Sequence, residues 1–188
     1  FDPGLEKAIE WDIPSLEGYE YCFVTNISKD PGSHHFSGII NPDLIKDIEG
    51  WGANAILVFG WSFKSHLKAI RYFHKKIPVY FRGDSTLLDE KKGSLKQLFR
   101  SIALKWIYRH IDKAFYVGTA NKLYFLKNGL KESQLIFAPH SVDNLRFANR
   151  VHYEQNRADT SVVFLFAGKF EAKKNPLTLL KSFIQLDD

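Results

Sequence analysis

The sequence predicts an α/β protein whose core is a parallel β-sheet. Five short runs are apolar throughout: residues 55–59, 78–81, 114–117, 135–138 and 162–167. Amphipathic stretches over residues 63–76 and 95–110 lie between them. Strands that are apolar on both faces are typical of parallel sheets, and strands alternating with helices of this length indicate βαβ units. Because βαβ crossovers are right-handed, we expect a doubly wound, Rossmann-like sheet with helices on both faces.

Further patterns predict the elements around this sheet. Residues 19–25 are an earlier strand candidate. Asn41-Pro42 predicts a short helix over residues 43–50 with Asn41 as its N-cap. The helix over residues 95–110 has Lys and Arg on one side and an apolar face on the other, which we expect to point towards the core: Leu95, Leu98, Phe99, Ile102 and Trp106.

The chain divides at a polar segment. Residues 151–161 show no periodicity and predict a linker between two domains. The first domain spans residues 1–150, and residues 162–188 supply one strand and one helix, over residues 176–186, of a second domain.

Composition excludes several classes of protein. Of the 188 residues, 45% are hydrophobic and 25% are charged, a globular balance rather than a disordered or fibrous one. The single cysteine, Cys22, excludes a disulfide within these residues, and its apolar neighbours predict a buried, inert thiol.

The net charge of +5 suits an anionic partner, although surface solubility explains it as well. No metal-ligand spacing stands out, because the adjacent pair His34-His35 is typical of a solvated loop. The basic residues within 64–76 lack the interleaved aromatics of nucleic-acid binding.

Small and polar residues follow each predicted strand. The segments are Gly60-Trp61-Ser62, Gly83-Asp84-Ser85, Gly118-Thr119-Ala120-Asn121, Pro139-His140-Ser141 and Gly168-Lys169. Ligands of open α/β sheets bind beyond the carboxyl ends of the strands, where glycine allows close approach and helix N-termini offer free N–H groups. A tight turn explains any one of these segments, but five in succession predict a ligand crevice.

These loops and their neighbours carry a family resemblance. Five of the segments, in order, are GWSFKSHLKAI (60–70), FRGDSTLLD (81–89), VGTANKLYF (117–125), FAPHSVDNLRF (137–147) and FAGKFEAKKNPLTLLKSF (166–183). Upstream, WDIPSLEGYEYCF (11–23) and GIINPDL (38–44) fit the same order. Together they resemble bacterial family-four glycosyltransferases, which have the GT-B architecture of two facing Rossmann-like domains.

The resemblance implies roles for individual residues. The first domain would hold the acceptor, and Gly168, Lys169 and Lys174 of the second would contact the donor diphosphate. Asp84 would orient or deprotonate an acceptor hydroxyl, or else cap the following turn. Trp61 would stack on a sugar ring or pack locally. The expected acceptor-cleft residues are Trp61, Ser62, His66, Arg82, Gly83, Ser85, Gly118, Thr119, Asn121 and His140.

The expected function is retaining transfer of a sugar from a nucleotide diphosphate donor to a saccharide or lipid-linked acceptor, with no metal and no cofactor beyond the donor substrate. Cell-surface polysaccharide or glycolipid synthesis in the cytoplasm is the expected setting. An anionic inner membrane face would be contacted by basic residues of helix 95–110 and the segment before it: Lys91, Lys92, Lys96, Arg100, Lys105 and Arg109. The first glycine loop is expected before Phe1 and the donor carboxylates after Asp188, so the isolated fragment is expected to be inactive. A nucleotide-sugar epimerase of the same fold and a non-catalytic basic binding module are the alternatives.

Overall fold

The computed structural model describes residues 14–89, 95–148, 164–168, 170 and 174–185. The chain forms two compact units, Phe1–Val142 and Asp143–Asp188. In the first unit the strands are β1 Ile56–Phe59, β2 Val79–Arg82, β3 Lys113–Tyr116 and β4 Leu135–Phe137. Its helices are α1 Leu44–Gly50, α2 Lys64–Phe73, α3 Leu95–Tyr108 and α4 Thr119–Lys127. The second unit contains α5 Asn144–Ala148 and α6 Pro176–Ile184.

The four strands form one parallel sheet in the order β1-β2-β3-β4. Ile56 lies opposite Val79, and Phe81 lies opposite Ala114. The predicted α/β class and the parallel sheet are therefore confirmed. Because the strands are parallel, the loops that follow β1, β2 and β3 leave the sheet at one edge, as predicted.

Helices on both faces were expected, and this prediction is wrong for the part of the chain that the structure describes. Val58, Phe81 and Ala114 point to a buried face with α2, α3 and α4, whereas Phe59 on the opposite face is 61% exposed. Four parallel strands in sequential order place every right-handed crossover on the same side. A doubly wound sheet needs the strand order to reverse, and these four strands do not reverse it.

Helix α3 turns a different face inward from the one predicted. Its buried side chains are Leu104, Ile107 and Tyr108, which recur at i, i+3 and i+4. The stripe that was expected to be buried is exposed instead, with Leu98 at 58%, Phe99 at 69%, Ile102 at 57% and Trp106 at 40%. The helix therefore carries two apolar stripes, and only the packing of the sheet decides which one is covered.

The predicted strand over residues 19–25 is not formed. This segment pairs with no strand among the described residues, and Tyr21, Phe23 and Cys22 are exposed, which also overturns the expectation of a buried thiol. The segment is held through Asn41, whose side-chain amide donates to the carbonyl of Thr25 (2.9 Å). Asn41 is consequently not the N-cap of α1, a position that Asp43 occupies.

The second unit provides the predicted helix but not the predicted strand. Helix α6 is confirmed over Pro176–Ile184. Residues 164–167 are not in a strand, while residues 162–163 and the predicted linker lie outside the described residues. An isolated strand is unstable without a hydrogen-bonded neighbour, and the described part of this unit offers none. Among the described residues, no helix combines the length and the apolar character needed to cross a membrane.

Candidate functional site

A small pocket lies at the carboxyl ends of β1 and β2. Its volume is about 200 Å³. The loops after the two strands form its rim, and aromatic core residues and α3 form the rest. The lining residues are Gly60, Trp61, Ser62, Phe81, Gly83, Asp84, Ser85, Arg100, Tyr108 and Phe125. The structure thus brings together five of the residues predicted for an acceptor site or catalysis: Trp61, Ser62, Gly83, Asp84 and Ser85.

Two glycines shape this rim. Gly60 adopts a φ of +74°, a left-handed conformation that other residues rarely take, and its N–H donates to the carbonyl of Arg82 (2.8 Å). A Cβ at Gly83 would lie 3.1 Å from the Phe81 ring, closer than ordinary contact. Glycine at these two positions allows the backbone to leave β1 and β2 at corresponding residues. Trp61 and Asp84 consequently lie at the same opening of the pocket.

Asp84 presents an exposed carboxylate to the pocket. Within the part of the chain that the structure describes, no hydrogen bond or ion pair engages its side chain. Among the described residues, Asp84 therefore does not form the capping hydrogen bond that its alternative role as a turn cap would require. A carboxylate that is not engaged by protein donors can accept the hydrogen bond of a ligand hydroxyl.

Arg100 and Tyr108 line the pocket, and neither was predicted as a site residue. The Arg100 Nη2 donates to the Tyr124 hydroxyl at 3.2 Å. Burial raises the pKa of Tyr108 far above its usual value, and Tyr124 raises it further, while the nearby Arg100 opposes the shift. The shift favours the neutral phenol, which is also the form of an ordinary tyrosine at physiological pH. The sequence did contain a signal that Arg100 and Tyr108 share a face of α3, because Arg100, Leu104 and Tyr108 recur every four residues.

Asn121, a predicted cleft residue, acts within the protein. Its side chain is 1% exposed. The amide nitrogen donates to the Ser85 carbonyl (2.8 Å), and the amide oxygen accepts from the Val117 N–H (3.0 Å). Both ends of the amide are therefore satisfied by backbone groups. Asn121 ties the loop after β2 to the loop after β3 and so fixes the pocket rim.

His66 and Arg82 lie near this edge without lining the pocket. The His66 Nδ1 donates to the Gly60 carbonyl at 3.2 Å, and the ring borders a separate apolar cavity of about 480 Å³ beside β1. Arg82 alternates with Phe81 along β2, so it points to the other face of the sheet. Its guanidinium donates to the Pro139 carbonyl (3.3 Å).

The remaining predicted residues lie farther along the chain. Gly118 and Thr119 begin α4 on the same edge of the sheet, and His140 is exposed after β4, but none of the three lines the pocket. Gly168 and Lys174 are exposed in the second unit. Lys169 lies outside the described residues, so the predicted donor contacts stay a prediction.

One group of side chains among the described residues has the composition and spacing of a metal site. It consists of Asp30, His34 and His35, and none of the three lines the pocket.

Comparison of the chain with protein-family models, with curated proteins and with solved structures gave no match. The resemblance to family-four glycosyltransferases therefore stays a prediction from the sequence segments.

Proposed function

We propose that this chain is the acceptor-side part of a retaining glycosyltransferase of the GT-B architecture, using a nucleotide diphosphate sugar as donor. The observation that carries the proposal is the pocket at the carboxyl ends of β1 and β2, where an unengaged carboxylate lies beside an indole, three hydroxyls and a guanidinium. Such a set suits a polyhydroxylated ligand, because sugars offer both apolar ring faces and hydroxyl groups.

Each side chain has a chemical part in this proposal. Asp84 orients the attacking acceptor hydroxyl or accepts its proton. Trp61 supplies an apolar surface for the sugar ring, and Ser62 and Ser85 bond its hydroxyls. Tyr108 stays neutral, so it can donate a hydrogen bond without adding charge. The volume of about 200 Å³ is below the usual range of drug-sized sites, which fits one sugar residue better than an oligosaccharide.

The donor side of the proposal rests on the second domain. Gly168, Lys169 and Lys174 bind the diphosphate, whose negative charge grows as the glycosidic bond breaks. Fixed cations stabilise that growing charge. The family resemblance implies no metal here and no cofactor beyond the donor substrate.

The exposed face of α3 extends the proposal to an anionic membrane surface, such as the inner face of a cytoplasmic membrane. Phe99 and Trp106 belong to its apolar stripe, and the guanidinium of Arg71 lies 5.2 Å from the Trp106 ring centroid. Lys105 and Arg109 are also exposed on this helix and the turn after it. An apolar stripe with aromatic and basic residues is typical of helices that lie in a membrane interface. Each basic residue near an anionic surface adds about 1 kcal/mol. Arg100, which was expected to join these basic residues, bonds Tyr124 instead.

The first test is turnover of a panel of nucleotide sugars by the full-length protein, with and without saccharide acceptors. Release of nucleotide diphosphate with sugar transfer or hydrolysis supports the proposal. Epimerised nucleotide sugar without nucleotide release would indicate the epimerase alternative, and binding without turnover would indicate the basic binding module.

The second test replaces the proposed base. Asp84→Asn should lower turnover by at least about 100-fold, the lower range for general-base catalysis. Its melting temperature should stay close to that of the parent protein, because exposed substitutions usually change stability by less than about 0.5 kcal/mol. The control is Asp47→Asn on α1, another exposed carboxylate away from the pocket. Unchanged turnover in Asp84→Asn would remove Asp84 from the mechanism.

A further inference from the structure

The loop over residues 26–40 gathers one carboxylate and two imidazoles. The Asp30 Oδ2 lies 3.3 Å from the His34 Nε2 and 3.2 Å from the His35 Nε2. The two imidazole rings meet edge to face with centroids 4.7 Å apart. One ligand atom from each of the three residues lies within 4.8 Å of the other two. Adjacency of the histidines, which suggested a solvated loop, does not prevent both rings from reaching one oxygen.

The backbone of this loop is fixed from inside. The Asn26 side chain accepts from the Ile40 N–H (2.9 Å) and donates to the Gly38 carbonyl (2.8 Å), which closes the base of the loop. The Ser28 hydroxyl accepts from the Asp30 N–H at 3.2 Å. Gly32 donates to Gly38 across the loop, and a Cβ on Gly38 would overlap the Gly32 carbonyl. The three side chains therefore project from a preformed backbone.

Two of the three ligand–ligand distances match tetrahedral coordination. Zinc binds imidazole nitrogen and carboxylate oxygen at about 2.0–2.2 Å. A tetrahedron of that size has edges of about 3.3 Å. Two edges of the cluster, at 3.3 and 3.2 Å, already have this length. The third edge, between the ligand atoms of the two imidazoles, is at most 4.8 Å, so closing the tetrahedron requires the exposed His34 ring to rotate. Zinc at the His35 Nε2 would also replace the bond of this nitrogen to the Asp30 backbone carbonyl (3.0 Å).

We propose that Asp30, His34 and His35 form a Zn²⁺ site with an open fourth position. Two imidazoles and one carboxylate are a ligand set that zinc accepts when water or a substrate group completes the coordination. The site is independent of the sugar-transfer proposal, because none of its ligands lines the pocket. Zinc bound here cross-links the loop and presents an exchangeable position at its surface.

The test is metal binding by the full chain without a histidine tag, stripped with a chelator. Cys22→Ser serves as the parent protein, because Cys22 is an exposed thiol that can bind zinc itself. Calorimetric titration with Zn²⁺ should show one site per chain. Titration with Co²⁺ should give the intense visible absorption of a four-coordinate complex.

Three variants and one control locate the site. Loss of any one ligand should weaken Zn²⁺ binding by at least about tenfold, as tested by His34→Ala, His35→Ala and Asp30→Asn. Losing a residue that only hydrogen-bonds a zinc ligand already costs about 10- to 100-fold in metal affinity, so losing a ligand should cost at least as much. His110→Ala is the control, because His110 pairs with the His74 ring at 4.8 Å but belongs to no three-ligand group among the described residues. Circular dichroism of each variant checks that the fold is kept. Absence of a single zinc site in the parent, or equal weakening by His110→Ala, overturns the proposal.

Discussion

Asn121→Ala should loosen the pocket rim without touching a ligand. The substitution leaves two backbone groups, the Ser85 carbonyl and the Val117 N–H, without their side-chain partner. Each unsatisfied group costs about 1–3 kcal/mol when buried, and partial access of water favours the lower half of that range. We therefore expect the free energy of unfolding to fall by about 2–4 kcal/mol. For a chain of this size that corresponds to about 4–16 °C in melting temperature.

Asn128→Ala is the matched control for this variant. Asn128 is also 1% exposed, lies at the end of the same helix α4, and donates from its side chain to the Tyr124 carbonyl (2.9 Å). Loss of the Asn128 side chain should lower the free energy of unfolding for the same reason, by about 1–3 kcal/mol. Asn128 makes no bond to the pocket rim, however. A difference between the two variants at the rim therefore reports the bonds of Asn121 rather than general destabilisation.

Hydrogen exchange is the assay that separates the two variants. In Asn121→Ala, exchange of the Val117 amide should speed up by at least about tenfold, because 1.4 kcal/mol of lost protection is a factor of ten. The same amide in Asn128→Ala should change only as much as global stability does. Turnover by the full-length protein should fall further in Asn121→Ala than in the control. Equal exchange at Val117 and equal turnover in both variants would refute the positioning role.

Two further predictions concern the membrane and the donor. Phe99→Glu should weaken co-sedimentation with anionic vesicles by about 10- to 100-fold, since burying a Phe side chain is worth about 1.5–3 kcal/mol. Leu123→Glu, at an exposed apolar position on α4, should change co-sedimentation little. Equal binding of the parent protein to neutral and anionic vesicles would contradict attachment to an anionic membrane surface. In the full-length protein, Lys169→Ala and Lys174→Ala should each lower nucleotide diphosphate affinity by about 10- to 100-fold, the worth of one charge-assisted contact. Lys181→Ala on α6 is the control, and parent-like affinity and kcat in both loop variants would remove these lysines from donor binding.

Local patterns in the sequence were sufficient to predict the strands of the sheet and the edge at which the glycine-bearing loops leave it. Each β-strand overlaps a short apolar run, although β2 also includes Arg82 and β3 also includes Lys113. Each strand is followed by a segment with small or polar residues, so the approximate strand positions and the glycine-bearing edge follow from neighbouring residues alone. Trp61, Ser62, Asp84 and Ser85 could be predicted as neighbours in space for the same reason. Parallel strands must end on the same side, whatever packs against them.

Contacts between distant residues decided the rest. Helix α3 has two apolar stripes, and burial of Leu104 and Tyr108 rather than Phe99 depends on the sheet, which no local periodicity encodes. Burial of that stripe is also what directs Arg100 to Tyr124 and places Tyr108 in the pocket. Residues 19–25 contain an apolar run that suits a strand, but they pair with no partner strand that the structure describes. Hydrophobic pattern determines what an element can bury, and tertiary structure determines what it does bury, because burial requires a second surface that the element does not contain.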